Sequence, residues 1–122
     1  LFSNSEDISK MSKMFLNGGV LNGIRILKTD IINKFIEKQS TSNDRAIGWD
    51  TPSQNGKSSA GDYFSNSTYG HLGFTGTSLW IDPKKEIIVI LLSNRVYPTR
   101  NKKGMYQFRR DFHNSLLQAL GE

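Results

Sequence analysis

The sequence contains no cysteine among its 122 residues. Disulfide bonds, thiolate catalysis and cysteine-based metal sites are therefore excluded, although the compartment is left open. Long apolar runs are also lacking, because the longest, residues 87–92, has the length of a strand and is too short to cross a membrane. No signal peptide is visible, and the chain opens on Leu1-Phe2-Ser3 without a methionine. We therefore expect a piece of a longer protein, from which a targeting signal would be missing.

Acidic residues are absent from one basic segment of the chain. The formal net charge is +5, from 16 Lys and Arg against 11 Asp and Glu, and no acid lies between Arg95 and Arg110. The segment lacks the aromatic strand pair of RNA-binding domains. We interpret it as a solvated loop and helix start, and predict no nucleic-acid partner. A basic interaction surface is the alternative, and its anion binding would fall steeply with salt.

Residues 1–45 are predicted to be mainly helical. The spacing of apolar residues predicts a helix over 5–17, and Ser3 with Glu6 has the spacing of a capping box. Asn22-Gly23 predicts a turn within the short apolar stretch at 20–27. Thr29 is the predicted N-cap of a second helix that ends near Lys38. The buried stripe of this second helix would be Ile31, Ile32, Phe35 and Ile36.

Residues 46–122 carry strand patterns and one final helix. Residues 46–49 are predicted as a short strand and 50–61 as a surface loop whose composition favours disorder. The predicted antiparallel meander has strands at 63–72, 77–81 and 86–93, and the consecutive apolar residues of the last strand indicate helices on both faces of the sheet. The final helix, 104–120, would bury a stripe made of Phe108, Phe112, Leu116, Ala119 and Leu120, with His113 partly exposed. Trp49 and Trp80 are expected in the core or in the wall of a site. The fold class is α/β (α+β), in one domain of residues 1–122.

The densest chemical signal is the segment from Gly70 to Ser78, in which glycines flank His71. Glycine at a strand edge lets a ligand come close, and a histidine can exchange a proton near neutral pH. Backbone N–H groups freed at a bulge are able to bind an oxyanion. These residues alone leave open the alternative of a structural histidine in a glycine-rich turn.

His71-Leu72-Gly73 resembles the third motif of the penicillin-recognising serine hydrolases, the superfamily of beta-lactamases and DD-peptidases, whose Lys-Thr-Gly has a His-x-Gly variant. The surrounding sequence is similar to class C beta-lactamases and related esterases. Residues 74–83 resemble the strand and turn after the motif, 88–95 the last strand, and 96–100 the loop before the C-terminal helix. Residues 1–7 and 14–19 resemble the start and the end of a family helix, and 48–50 a strand before the motif. The resemblance covers almost the whole chain in the family's order.

The resemblance implies the C-terminal part of a serine hydrolase that acts on amide or ester bonds through an acyl-enzyme. The family's nucleophile motif, Ser-x-x-Lys, lies upstream and does not occur here, so the chain alone is expected to be inactive. The substrate would be a small molecule or a peptidoglycan-like compound, and the location periplasmic or otherwise extracytoplasmic. A partial fold would expose apolar surface, which predicts a homodimer, a swapped assembly or association with the missing N-terminal segment. A non-catalytic relative that binds peptidoglycan or sugar is the alternative.

The resemblance also implies roles for individual residues. His71 takes the place of the motif lysine, Gly73 keeps the strand edge open to substrate, and the Phe74 backbone N–H is an oxyanion donor. Leu72 replaces a threonine whose hydroxyl holds the substrate carboxylate, which favours an esterase or peptidase over a beta-lactamase. Thr75 and Asn94 join Leu72 as implied substrate-binding residues, with turn capping as the alternative for Asn94. No residue is predicted to hold a cofactor or a metal.

Overall fold

A computed structural model describes residues 2–40, 42–53 and 58–121 of the chain. Residues 54–57 of the predicted loop lie outside the described residues, so the disorder expected there stays a prediction. The elements are helix α1 (Ser5–Leu16), strands β1 (Val20–Leu21) and β2 (Ile24–Arg25), helix α2 (Thr29–Ile36), strands β3 (Tyr69–Leu72), β4 (Ser78–Asp82) and β5 (Ile87–Leu91), and helix α3 (Met105–Ala119). This order confirms the predicted α/β fold class, with helices first, then a three-stranded meander and a closing helix. Within the described ranges, no helix has both the length and the apolar character that a bilayer crossing requires.

The main sheet is antiparallel, with β4 in its centre between β3 and β5. Trp80 pairs with Val89 of β5, and the next residue, Ile81, pairs with Tyr69 of β3. Because successive side chains of a strand point to opposite faces, Trp80 and Ile81 bury opposite sides of the sheet. They are 1% and 0% exposed, so both faces are covered, as the apolar run of the last strand predicted.

Each face of the sheet has its own apolar cluster. On one face Trp80 and Val89 pack with Leu117 of α3, together with Ala60 and Phe64. The opposite face holds Tyr69, Ile81, Ala46 and Trp49, with Phe15 and Leu16 of α1 packed against them. The Trp49 ring contacts Phe15 and Tyr69 edge to face, with centroids 5.1 and 5.3 Å away. Both tryptophans are therefore core residues.

The predicted helix caps are wrong by one residue in each case. Asn4 caps α1: its Oδ1 accepts the Asp7 N–H at 3.0 Å, and its Nδ2 donates to the Asp7 carboxylate at 3.0 Å. The side-chain amide of Asn4 thus binds both the backbone N–H and the carboxylate of Asp7, and Ser3 takes no part in the cap. Thr29 is the first residue of α2 rather than its cap, because its hydroxyl donates to the Gly18 carbonyl at 3.0 Å.

The predicted buried stripes of α2 and α3 need correction. In α2 only Ile32 is buried, while Ile31 and Phe35 are 37% and 42% exposed. In α3 Phe108 and Leu120 are 51% and 59% exposed. The residues that α3 buries fully are spaced by four as predicted, but they lie one residue further along, and they are Arg109, His113 and Leu117. His113 is 0% exposed, so the expectation of partial exposure is wrong.

One predicted strand is shorter than expected, and another is absent. The strand predicted over 63–72 is reduced to Tyr69–Leu72, because Ser65 donates its N–H and its hydroxyl to the buried Asp82 carboxylate, both at 2.6 Å. Residues 46–49 form a turn closed by Ala46 N–H and Trp49 O at 2.9 Å. Only isolated bridges flank this turn, from Asp50 to Arg45 and to Gly70.

Candidate active site

The His71-Leu72-Gly73 segment lies where β3, an outer strand of the sheet, comes to its end. Gly70 exchanges two hydrogen bonds with Asp50 on the outer side of β3, at 2.9 and 2.7 Å. Because the backbone groups of a strand alternate between its two sides, Leu72 presents its N–H and C=O to the same outer side. Beyond Gly70, no strand of the described chain covers this edge. An extended chain could therefore pair with β3 at Leu72, whose C=O also accepts from His71 Nδ1 at 2.8 Å.

The Phe74 N–H is a free backbone donor just past the end of β3. The preceding Gly73 N–H donates to Thr77 O at 2.8 Å, and Gly76 N–H donates to Gly73 O at 3.0 Å, which closes a tight turn. No acceptor in the part of the chain that the structure describes pairs with the N–H of Phe74. The side chain of Phe74 is 61% exposed. The backbone at this position is consequently available to an outside ligand.

At two positions of the segment, local packing also requires glycine. A Cβ on Gly73 would overlap the hydroxyl of Thr77 on the other side of the turn. Gly76 has φ of +100°, and a Cβ there would lie 2.5 Å from Ser93 Oγ and 2.7 Å from Met105 Cε. Side chains are thus disfavoured at both ends of the turn, whether or not a substrate approaches.

Two arginine side chains hold the carbonyls of this turn. Arg109 Nη2 donates to Gly73 O and Thr77 O, each at 2.8 Å, and its Nε donates to Gly76 O at 3.0 Å. Arg95 Nε donates to Phe74 O at 2.8 Å. Burial, together with the nearby charge of Arg95, lowers the pKa of Arg109 below its ordinary value.

Arg109 was not among the predicted site residues, and Arg95 was considered for the edge of the site, but both were assigned to a solvated basic segment. One signal was present: arginines in a stretch without acids need other acceptors, and a glycine-rich turn offers carbonyls. The four-residue spacing of Arg109, His113 and Leu117 also indicates a common helix face.

A groove of about 490 Å³ lies between the start of α1 and the sheet, next to the end of β3. Its wall includes Ile8 and Met11 of α1, and four of the predicted site residues: His71, Leu72, Gly73 and Thr75. On the other side, a basic pocket of about 420 Å³ is lined by Phe74, Arg95, Lys102, Tyr106 and Arg109 among others. The backbone from Leu72 to Phe74 thus separates an apolar groove from a basic pocket.

Asn94 is the one predicted site residue that lines neither cavity. Its two neighbours are bonded to the turn, since Arg95 N–H donates to Thr75 O at 2.8 Å and Ser93 Oγ donates to the same oxygen at 3.4 Å. Asn94 is exposed beside this junction. The structure therefore brings it near the turn without placing it in the groove.

His71 leaves one ring nitrogen able to accept a hydrogen bond. Its Nδ1 lies 2.8 Å from Leu72 O. Since a carbonyl oxygen only accepts, Nδ1 carries the hydrogen of this bond, and Nε2 of the neutral ring keeps a lone pair. The side chain is exposed and lines the groove. A hydrogen-bond acceptor, an open strand edge and a free N–H donor are groups that acyl transfer can use besides a nucleophile.

The described residues form no cluster of potential metal ligands. Among residues 2–40, 42–53 and 58–121, no group of three or more His, Asp or Glu side chains is placed to hold a metal ion.

Comparisons with known proteins agree with one another. A family model described as beta-lactamase matches residues 1–114. The chain is 32% identical over 108 residues to proteins named "Putative D-alanyl-D-alanine carboxypeptidase" from Salmonella agona (strain SL483) and Salmonella gallinarum (strain 287/91 / NCTC 13346), and 31% identical to that of Salmonella typhi. Each match covers 84% of this chain and 24% of the relative, so the chain spans about a quarter of the length of these curated relatives.

Proposed function

Because the chain belongs to the beta-lactamase family, we propose that it forms the C-terminal part of a serine hydrolase that opens amide or ester bonds through an acyl-enzyme. The observation that carries this proposal is the unpaired Phe74 N–H at the open end of β3. In acyl transfer, a backbone N–H at such a place stabilises the negative charge that develops on the substrate carbonyl oxygen. The proposal covers residues 1–122 as one portion of a single catalytic domain, with a helical part at 1–45 and the sheet and closing helix at 46–122.

The residues at the end of β3 bind and polarise the substrate in this proposal. The substrate carbonyl oxygen accepts from Phe74 N–H, and an extended substrate backbone pairs with Leu72 along the uncovered edge. Gly73 carries no side chain that would obstruct this approach. His71 Nε2 accepts a hydrogen bond in the groove beside the reacting groups. The serine nucleophile, its lysine and the second oxyanion donor come from a segment that precedes residue 1.

The relatives' name refers to D-alanyl-D-alanine, and we propose a peptidoglycan-type peptide as the substrate class. Leu72 offers no hydroxyl for a substrate carboxylate. We propose instead that Thr75, in the wall of the groove, and the exposed Asn94 provide polar contacts to the substrate. A cell-wall substrate implies an extracytoplasmic location.

The apolar groove is where we propose that the preceding segment of the protein packs. Met11 and Leu92 line the groove and are 41% and 48% exposed. Such side chains close together favour association with another apolar surface. A homodimer or a swapped assembly of this chain would cover the same side chains, and a monomeric 122-residue chain in sedimentation equilibrium would contradict both.

A non-catalytic relative that binds peptidoglycan or sugar is the second candidate. It is favoured by one observation: the groups at the end of β3, an open strand edge and an unpaired N–H, are binding groups. The two candidates share the fold and differ only in the preceding segment.

Intact-mass measurement separates the two candidates. The chain is incubated with a fluorophosphonate and, separately, with a penicillin, and the same is done with the complete reading frame that encodes it. We expect no adduct on the 122-residue chain and one adduct on a serine upstream of Leu1 in the complete protein. An adduct on a serine of this chain would show that the nucleophile has been misplaced. No adduct on either protein would favour the binding relative.

Substitution of Phe74 tests the role of its backbone N–H. In the complete protein, Phe74→Pro removes the donor, because proline has no N–H, and Phe74→Leu is the matched control that keeps it. We expect the proline variant to be acylated about 10²–10³-fold more slowly, the usual effect of losing one oxyanion donor. The leucine variant keeps the N–H and loses the cation–π contacts of the Phe74 ring with Arg95 and Arg100, so it should stay close to the starting rate. Equal losses in both variants would assign the role to the side chain.

A further inference from the structure

We infer that Arg109 is a positioning residue, which orients the Phe74 N–H by holding the carbonyl of the same peptide. The inference rests on the proposed function, because it concerns the proposed oxyanion donor. The Gly73 C=O and the Phe74 N–H belong to one planar trans peptide and point in opposite directions. Arg109 Nη2 donates to Gly73 O at 2.8 Å. By fixing the direction of the Gly73 C=O, this bond also fixes the opposite direction, in which the Phe74 N–H points.

The turn needs such a restraint because of its composition. Gly73 and Gly76 lack a Cβ, and glycine has access to more backbone conformations than any other residue. A guanidinium presents its donors in a rigid plane, and Arg109 spreads them over the carbonyls of Gly73, Gly76 and Thr77. It therefore ties the two ends of the turn to one rigid group, which no single-donor side chain would do.

The position of Arg109 is itself fixed by the core. It is 7% exposed, and the two residues that follow it at four-residue spacing, His113 and Leu117, are 0% exposed. The helix that carries Arg109 is thus docked on the sheet through its neighbours, independently of any substrate. Arg95 holds the next peptide through Phe74 O, from the loop after β5. The donor is consequently prepared before a substrate binds, which is the condition for effective electrostatic stabilisation.

The charge of Arg109 also acts on the peptide. No carboxylate of the described residues is paired with its guanidinium, which stays protonated at ordinary pH. A cationic donor on a carbonyl polarises the peptide and makes its N–H a stronger donor. The uncompensated charge further favours an anion on the far side of the peptide.

Amide exchange and carbonyl chemical shifts of the 122-residue chain, measured by NMR, test the positioning. The variants are Arg109→Met and Arg109→Lys. Methionine is an unbranched side chain of similar length without hydrogen-bond donors, and lysine keeps the charge and one donor group. Arg110→Met is the control. Arg110 is the next residue of the same helix, but it donates to Ser58 O and to the Asp62 carboxylate and not to the turn. Arg109 donates to carbonyls and to no amide, so its loss acts on exchange by letting the turn open, and losing a charge-assisted hydrogen bond should make that opening about 10–100-fold more frequent.

We expect Arg109→Met to speed exchange of the Gly73 and Gly76 amides by about 10–100-fold and to move the Gly73 carbonyl resonance, with Trp80 and Val89 unchanged. Arg109→Lys should restore part of both effects, and the control should show neither. If exchange of all backbone amides were accelerated equally, Arg109 would stabilise the whole fold and not the turn in particular, and the inference would be overturned. An unchanged Gly73 carbonyl and unchanged turn amides in Arg109→Met would overturn it as well.

Kinetics of the complete protein distinguish this inference from the proposed function. There Arg109→Met should lower kcat about 10–100-fold with little change in KM, because the donor matters most in the transition state. Acylation of Arg109→Met at the starting rate would overturn the inference and leave the proposed function standing. If the unaltered complete protein is not acylated, the proposed function fails, and the NMR result still decides whether Arg109 positions the peptide.

Discussion

Acidification should destabilise this chain through His113, which is 0% exposed between α3 and the sheet. Its Nδ1 lies 2.9 Å from Ser59 O and therefore carries the hydrogen, which leaves Nε2 to accept from Ser78 Oγ at 3.3 Å. The rings of Phe64 and Phe112 pack against it edge to face. Burial lowers the pKa of His113, the hydrogen bond to Ser59 opposes this effect, and the charge of Arg109 adds to it. The folded chain therefore favours the neutral imidazole.

The pH window follows from the direction of this shift. In the unfolded chain a histidine has a pKa of about 6.5. Below that pH the unfolded chain binds a proton that the folded chain resists, so the free energy of unfolding falls as the pH falls. The loss proceeds at up to about 1.4 kcal/mol per pH unit until the lowered pKa of the folded state is reached. Above about pH 6.5 the full stability is present. The window is separate from that of the carboxyl groups, whose ordinary pKa is about 4.

Urea unfolding between about pH 5 and pH 8 measures this dependence. The slope of unfolding free energy against pH should be lost in His113→Gln, which stays neutral, although that variant is less stable throughout. His71→Gln, which alters the exposed histidine, should retain the slope and serves as the matched control. If His113→Gln keeps the slope, or His71→Gln loses it, the buried neutral imidazole is not its source.

Four further substitutions test the packing of α3 and two sets of hydrogen bonds. Leu117→Ala should cost about 2–5 kcal/mol of unfolding free energy, whereas Phe108→Ala should cost less, because Phe108 is half-exposed and stacks on Phe112; chemical denaturation that reversed this order would contradict the observed helix face. Asp82→Ala removes the acceptor of Ser65 and of two turn amides, so thermal and urea unfolding should show a loss of at least about 1–3 kcal/mol. Asn4→Ala should cost about 1 kcal/mol and reduce helicity by circular dichroism; an unchanged value would refute its capping role.

Local patterns were sufficient for much of this protein. The extent of α1, the turn at Asn22-Gly23 and the three-stranded meander follow from periodicity and turn residues, whose effects act within a few residues. The family was indicated by His71-Leu72-Gly73 together with the segments around it in the family's order, and the place of this motif at the end of β3 agrees with that resemblance. The caps failed by one residue because Asn4, and not Ser3, accepts the Asp7 N–H, and because the Thr29 hydroxyl donates to Gly18 O and is not used as a cap.

The tertiary structure alone decided which side of α3 faces the sheet. Two stripes with four-residue spacing lie next to each other on this helix, one starting at Phe108 and one at Arg109. Apolarity favours the first, but the buried stripe is the second, because Arg109 finds three carbonyl acceptors 32 to 36 residues earlier in the chain. Three charge-assisted hydrogen bonds outweigh the partial burial of one phenylalanine. A guanidinium can be buried only where such acceptors converge, and convergence of distant residues is a property of the folded chain.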